Sequence, residues 1–177
     1  WDVPVRAGST TLHVLASHPT PPSFDGPEKR NQRRNHDEIR FWADYLTPGR
    51  TSRWIVDDAG TRGGLEPSAP FVILGDLNSD PADGDSWPGA IEQLLRHSRV
   101  QDPKPSSDGA VEAAELQGGA NAEHAGEARY DTADFAEPTP GNLRVDYVLP
   151  ARELQIVSSA VYWPRRGEPG SELTGSH

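Results

Sequence analysis

The sequence predicts a mixed α/β domain of short strands and few helices, and three observations carry that prediction. Apolar, β-branched runs recur at residues 10–17, 71–74, 143–149 and 154–163, each bounded by glycine, proline or a polar cluster. One stretch between the first two runs changes its hydrophobic period from that of a strand to that of a helix. Finally, 17 glycines and 17 prolines among 177 residues, with only 34% hydrophobic, favour strands and long loops over a helical bundle.

Residues 10–17 (Thr-Thr-Leu-His-Val-Leu-Ala-Ser) read as a strand ending at His18-Pro19, paired through Ala7-Gly8 with Val3 and Val5 in a hairpin. A proline-rich loop follows, with a turn signal at Asp25-Gly26. Within residues 28–46, Ile39, Trp42, Tyr45 and Leu46 fall at i, i+3, i+6 and i+7. They share one helical face, while Arg30, Arg33, Arg34 and Asp37 lie largely off it, and Pro48-Gly49 stops the helix. Trp54-Ile55-Val56 opens a further short element. The continuous run Phe71-Val72-Ile73-Leu74 is the pattern of a strand buried on both faces. A short helix is expected around residues 90–97, with Ile91, Leu94 and Leu95 inward. Residues 105–129, rich in Ser, Gly, Ala and Glu, read as a long and partly disordered loop. Residues 143–149 and 154–163 then form two strands paired through Pro150-Ala151-Arg152.

Composition excludes several chemistries. The absence of cysteine removes disulfides, thiol nucleophiles and Cys-ligated zinc. No apolar run approaches the roughly 20 residues needed to span a bilayer. A net charge of −10 opposes bulk attraction to a phosphate backbone, although Lys29, Arg30, Arg33 and Arg34 form a local basic cluster. That cluster reads either as a solvated helix face or as a means of steering an anionic substrate. Methionine is absent and Trp1 falls inside an apolar strand, so the chain reads as a fragment whose N-terminal strands are missing.

Three features carry chemistry. Directly after the apolar run comes Gly75-Asp76-Leu77-Asn78-Ser79-Asp80-Pro81. Glycine lets the chain turn sharply as it leaves the sheet. A carboxylate two residues before a carboxamide places a hard anionic oxygen beside a neutral amide, suited to a divalent metal, a polarised water or a phosphoryl oxygen. The same residues would also make an ordinary Asx-turn. His18 at a strand end is a candidate acid–base or phosphate-binding group, or a surface loop histidine. Asp146, inside the apolar run Arg144-Val145-Asp146-Tyr147-Val148-Leu149, would cost free energy unless paired with a histidine or turned to the wet side of an edge strand. Asp80, Asp83 and Asp85 read as a polar turn rather than a calcium loop.

In this order, strand-His18, strand-Gly75-Asp76-Leu77-Asn78, Asp146 in a late strand and a final His177, the chain resembles the endonuclease/exonuclease/phosphatase (deoxyribonuclease-I-like) superfamily. It is similar to the C-terminal portion of such a domain over essentially its whole length. Residues 75–86, Asp131-Thr132-Ala133-Asp134-Phe135 and 144–150 look closest to an uncharacterised bacterial branch. The resemblance implies a two-layer β-sandwich with flanking helices, of which residues 1–177 supply roughly the second half. It implies metal-dependent hydrolysis of phosphate mono- or diesters by in-line attack of water, the fragment alone being inactive. His18 would bind or protonate the phosphate, Asp76 position the water, Asn78 hold a phosphoryl oxygen, and Asp146 orient His177. Asp76 and Asn78 would lie beside the metal, Mg2+ foremost, with Mn2+ or Ca2+ as alternatives. The family's Ser-Asp-His ending is here Gly175-Ser176-His177, without the Asp. A nuclease of the same superfamily and a non-catalytic degenerate half-domain used for binding or assembly are the competing readings. A phosphate-ester substrate, self-association through the exposed half-sandwich face and a secreted or extracytoplasmic bacterial origin complete the expectations.

Overall fold

The computed structural model describes residues 1–136 and 138–174. The hairpin forms as read: β1 (Asp2–Ala7) pairs antiparallel with β2 (Thr10–Ala16), Val3 facing Val14 and Val5 facing Leu12. The chain then crosses over through helix α1 (Arg30–Leu46) and returns as β3 (Phe71–Asp76), parallel to β2. Parallel neighbours require such a crossover. Helix α1 opens without a capping side chain at Lys29. The two carboxylate oxygens of Asp25 instead accept the Asn31 and Gln32 amides at 2.7 and 2.8 Å. Thr47 and the Pro48-Gly49 pair end it, as the sequence predicts.

A short helix α2 (Glu92–Leu95) and a longer α3 (Asp108–Gln117) precede the two-stranded pair β4 (Ala133–Asp134) and β5 (Asn142–Leu143). Strand β6 (Asp146–Pro150) completes the main sheet antiparallel to β3, giving the spatial order β1-β2-β3-β6. The fold is therefore the expected mixed α/β class, with a multi-stranded sheet and few helices.

Alternation along the strands divides the sheet into two unlike faces. Leu15, Phe71, Ile73, Tyr147 and Leu149 point to one side and are buried against Ile39, Trp42 and Leu46 of α1 and Ile91 and Leu94 near α2. Val3, Val5 and Val148 alternate to the other side and are exposed, with Leu12, Val14, Val72 and Leu74 half-buried.

Several expectations are corrected here. The run at residues 71–74 is buried on one face only, because helices cover one side of the sheet. Residues 105–129 are not a featureless loop. They hold α3, capped by the Ser107 hydroxyl accepting the Ala110 amide at 3.1 Å, and two 3-10 turns, Gly119–Ala122 and Ala128–Tyr130. The helix packs through small residues, Gly109, Ala110 and Ala114, so no aliphatic periodicity announces it. Residues 154–163 form no strand and no hairpin with β6. The chain leaves Pro150 through a turn in which Arg152 binds the Ser98 and Val100 carbonyls, and runs across the open face of the sheet. The expected strand at 143–149 is broken between β5 and β6.

Candidate active site

The groups singled out by the sequence converge at one end of the open face. Strands β2 and β3 run parallel, so their C-terminal ends lie together, and β6 begins where they stop. His18 follows β2, Asp76 closes β3, and Asp146 opens β6 as the register partner of Asp76. The His18 Nε2 lies 3.4 Å from Asp76 Oδ2, with the imidazole exposed and the carboxylate half-buried.

Gly75 makes this closeness geometrically feasible. Its φ is +146°, and a Cβ there would collide with the Ser17 carbonyl oxygen. Only glycine allows the end of β3 to lie so near the residue preceding His18. Beyond it, Asp76 Oδ1 accepts the Asn78 amide at 2.8 Å, so the Asx-turn reading of this motif also holds. The turn leaves the second carboxylate oxygen facing His18.

Asn78 occupies the left-handed region, φ +50°, and is 8% exposed. Its Nδ2 donates one hydrogen to the Pro19 carbonyl at 3.1 Å, tying the loop to the segment after His18. The loop is held from below by Asn35, a fully buried polar residue of α1. Its Nδ2 reaches the carbonyls of Thr20, Leu77 and Asn78 at 3.0, 3.0 and 3.3 Å. On the far side, Tyr147 donates to the Ser79 and Arg144 carbonyls. Asp80 accepts the amides of Ala82, Asp83 and Arg144, and Asp83 accepts those of Ala125 and Gly126. With these carboxylates committed to backbone, residues 80–85 are a polar turn, as read.

Two further residues shape the site, and sequence reasoning missed both. Asn35 was hidden because a polar residue on a helix gives no sign of being buried. Thr132 sits in the quoted Asp131-Thr132-Ala133 segment, and its hydroxyl accepts the amides of both Val145 and Asp146 at 3.0 and 2.9 Å. That bond pair breaks the strand between β5 and β6 and orients the start of β6. Asp146 lies on the exposed face, as the wet-side reading had it, beside Asp76. Burial by the groove walls pushes its carboxyl up and Asp76 adds to this, against the Thr132 hydroxyl and His18, which favour the charged form. His177 lies outside the described residues. The other described histidines are engaged elsewhere: His13 with Asp2, His36 with Asp37, His97 with Thr47 and His124 with the Pro140 carbonyl.

Adjacent carboxylates repel unless a cation or a proton stands between them. Asp76 and Asp146 therefore suit a divalent ion, with the Asn78 carboxamide near by. Among the described residues, no group of three or more His, Asp or Glu side chains is disposed to hold a metal. The site opens into a groove of about 1040 Å³ between the open sheet face and residues 154–162. Its floor is Leu12, Val72, Leu74 and Val148, and Asp76, Asp146 and Thr132 stand at its polar end. No described helix is long and apolar enough to cross a membrane.

Comparison with curated proteins and with solved structures returns no match. Comparison with family models returns the endonuclease/exonuclease/phosphatase family over residues 3–176. Members of that family are usually hydrolases, phosphoesterases and nucleases among them, and commonly use divalent metals. The match runs through β2, the Gly75–Pro81 loop and β6, the elements that bring His18, Asp76 and Asp146 together, and the chain belongs to the endonuclease/exonuclease/phosphatase family.

Proposed function

We propose that the protein hydrolyses phosphate mono- or diesters by in-line attack of water, with a divalent ion, Mg2+ foremost, as cofactor of the complete site. The observation that carries this reading is the meeting of His18, Asp76 and Asp146 at one end of the open face, with His18 Nε2 3.4 Å from Asp76 Oδ2.

In this reading His18 projects into solvent, where it binds a phosphoryl oxygen or delivers a proton to the departing oxygen. Asp76 accepts a hydrogen bond from the attacking water and fixes its line of approach. The Asn78 carboxamide keeps one hydrogen for a phosphoryl oxygen after bonding Pro19. Asp146 neighbours Asp76 and orients a second imidazole, for which His177 is the candidate. Asp76, Asn78 and Asp146 are the residues that would hold the ion, which supplies charge neutralisation on the phosphoryl oxygens.

The test is turnover of bis-p-nitrophenyl phosphate by the complete form of the protein with Mg2+, Mn2+ or Ca2+, the 177 residues alone being expected to show little or none. His18→Ala and Asp76→Asn are each expected to lower kcat/KM by roughly 10²–10⁴-fold with an unchanged unfolding midpoint. Absence of turnover with every metal would replace this reading with a non-catalytic binding module.

A further inference from the structure

Behind the loop that follows β3, on the side away from the groove, one buried charge has no counterpart. Asp131 is 7% exposed, and its own amide donates to the Ala128 carbonyl. Among the described residues its carboxylate accepts no hydrogen bond and makes no ion pair. The acids around it are engaged. Asp80 accepts the amides of Ala82, Asp83 and Arg144, and Asp83 those of Ala125 and Gly126. Asp102 takes both terminal nitrogens of the Arg144 guanidinium, at 2.9 and 2.5 Å.

A buried carboxylate without a donor is costly to ionise. Burial, Asp80 and Asp83 push the Asp131 carboxyl up to about 7, with His124 opposing. The same side chain lines a cavity of about 410 Å³. That is far more room than one ordered water needs, and within the range of small-molecule sites. With Arg144 cancelled by Asp102, the remaining charged residues lining it are Asp80, Glu92, Glu127 and Asp131 against Arg96 and Lys104. The cavity is acidic.

The chemistry of the lining narrows the cation. Among the described residues no three acidic or histidine side chains converge as metal ligands, and the Asp80 oxygens are already committed to backbone. A hard metal ion would find too few oxygens there. A quaternary ammonium would want an open aromatic face, but the Tyr130 ring already carries the Lys104 ammonium at 5.8 Å. A primary ammonium needs only a few acceptors, and Asp131 offers two free oxygens. Pro81, Ala82 and Leu95 line the same space and suit a short aliphatic body. We propose that this cavity is a binding site for a small primary alkylammonium compound, its charged head on Asp131 and its carbons against Pro81, Ala82 and Leu95. The site is separate from the groove and does not depend on the phosphoesterase reading.

The experiment is calorimetric titration of the full chain with n-propylammonium chloride in an amine-free buffer. 1-Propanol and tetramethylammonium chloride serve as the neutral and quaternary comparisons. Saturable binding of n-propylammonium is expected, in the millimolar range that so few heavy atoms allow. Both comparison compounds should bind at least about tenfold more weakly, and Asp131→Asn should weaken n-propylammonium by about tenfold or more, the worth of a hydrogen bond to a charged group. Ala82→Phe, at an exposed position, should fill the cavity and abolish binding with the unfolding midpoint retained. No saturable binding would mean that the cavity holds water only, and overturns the inference. Equal binding of either comparison compound, or unchanged affinity in a folded Asp131→Asn protein, does so too. Should Asp131→Asn fail to fold, unchanged affinity in Ala82→Phe overturns it.

Discussion

The two faces of the four-stranded sheet are written by the same strands, one residue apart, and they do opposite work. Phe71, Ile73, Tyr147 and Leu149 face α1 and are buried to 2% exposure or less. Val72, Leu74, Val148, Asp76 and Asp146 face the groove and retain access to water. Stability is concentrated on one side, and the candidate site carboxylates and an open cleft on the other. A chain built this way tolerates polar and strained residues at its working end because the opposite face holds the strands in place.

The sharpest way to break the comparison is Gly75→Ala, because Gly75 joins the two roles. The added methyl meets the Ser17 carbonyl at a φ that L residues avoid, so β2 and β3 must separate at their ends. Loss of about 3 kcal/mol or more in urea unfolding is expected, together with loss of phosphodiesterase turnover. Paired truncations come next. Ile73→Ala should cost about 2–5 kcal/mol, as buried aliphatic truncations do. Its neighbour Val72→Ala, on the groove side, should stay within about 1 kcal/mol. Equal losses would show the open face to be as firmly packed as the helical one.

A subtler difference is one of pH. Asp131, next to Thr132, is pushed up to about 7 from an ordinary 3.8, first by burial and then by Asp80, with His124 opposing. The folded state then binds more protons than the unfolded one between those values, so stability falls as pH rises from about 4 through about 7. Asp131→Asn should flatten that decline, measured as Tm at pH 4.5 and pH 8. The smallest effect is at Phe24. Phe24→Gly relieves the left-handed strain at φ +59° and should raise stability by about 0.5–1 kcal/mol. A variant that loses stability would mean the exposed ring is structural.

What the sequence makes legible follows from the same division. The β1–β2 hairpin, α1 and β3 are readable because a strand or helix with one covered face leaves a period in its apolar residues. Phe71 and Ile73 show it, as do Ile39, Trp42 and Leu46, whereas Val3, Val5 and Leu12 of the hairpin alternate on the open face. Helix α3 is not, since Ala110 and Ala114 bury almost nothing aliphatic; its signal was the Ser107 cap and an alanine-rich run with Glu112 and Glu115. Residues 154–163 misled in the other direction. Leu154, Ile156, Val157 and Val161 are apolar enough for a strand, but they cover the groove without joining a ladder. At the site, His18, Asp76, Asn78 and Asp146 stand out as polar residues at strand ends. Asn35 and Thr132 do not, because their importance lies in which distant backbone amides and carbonyls they meet.

The cross-strand pairing of Asp76 with Asp146 carries one more implication. Because side chains alternate, sliding β6 by a single residue would send Asp146 toward the helices and turn Tyr147 outward. No intermediate position exists. Deleting or inserting one residue within Asp146–Pro150 would thus separate the paired carboxylates, whereas the exposed turn at residues 57–61 admits length changes more readily. Evolution of this scaffold is therefore digital in its strands and continuous only in its loops.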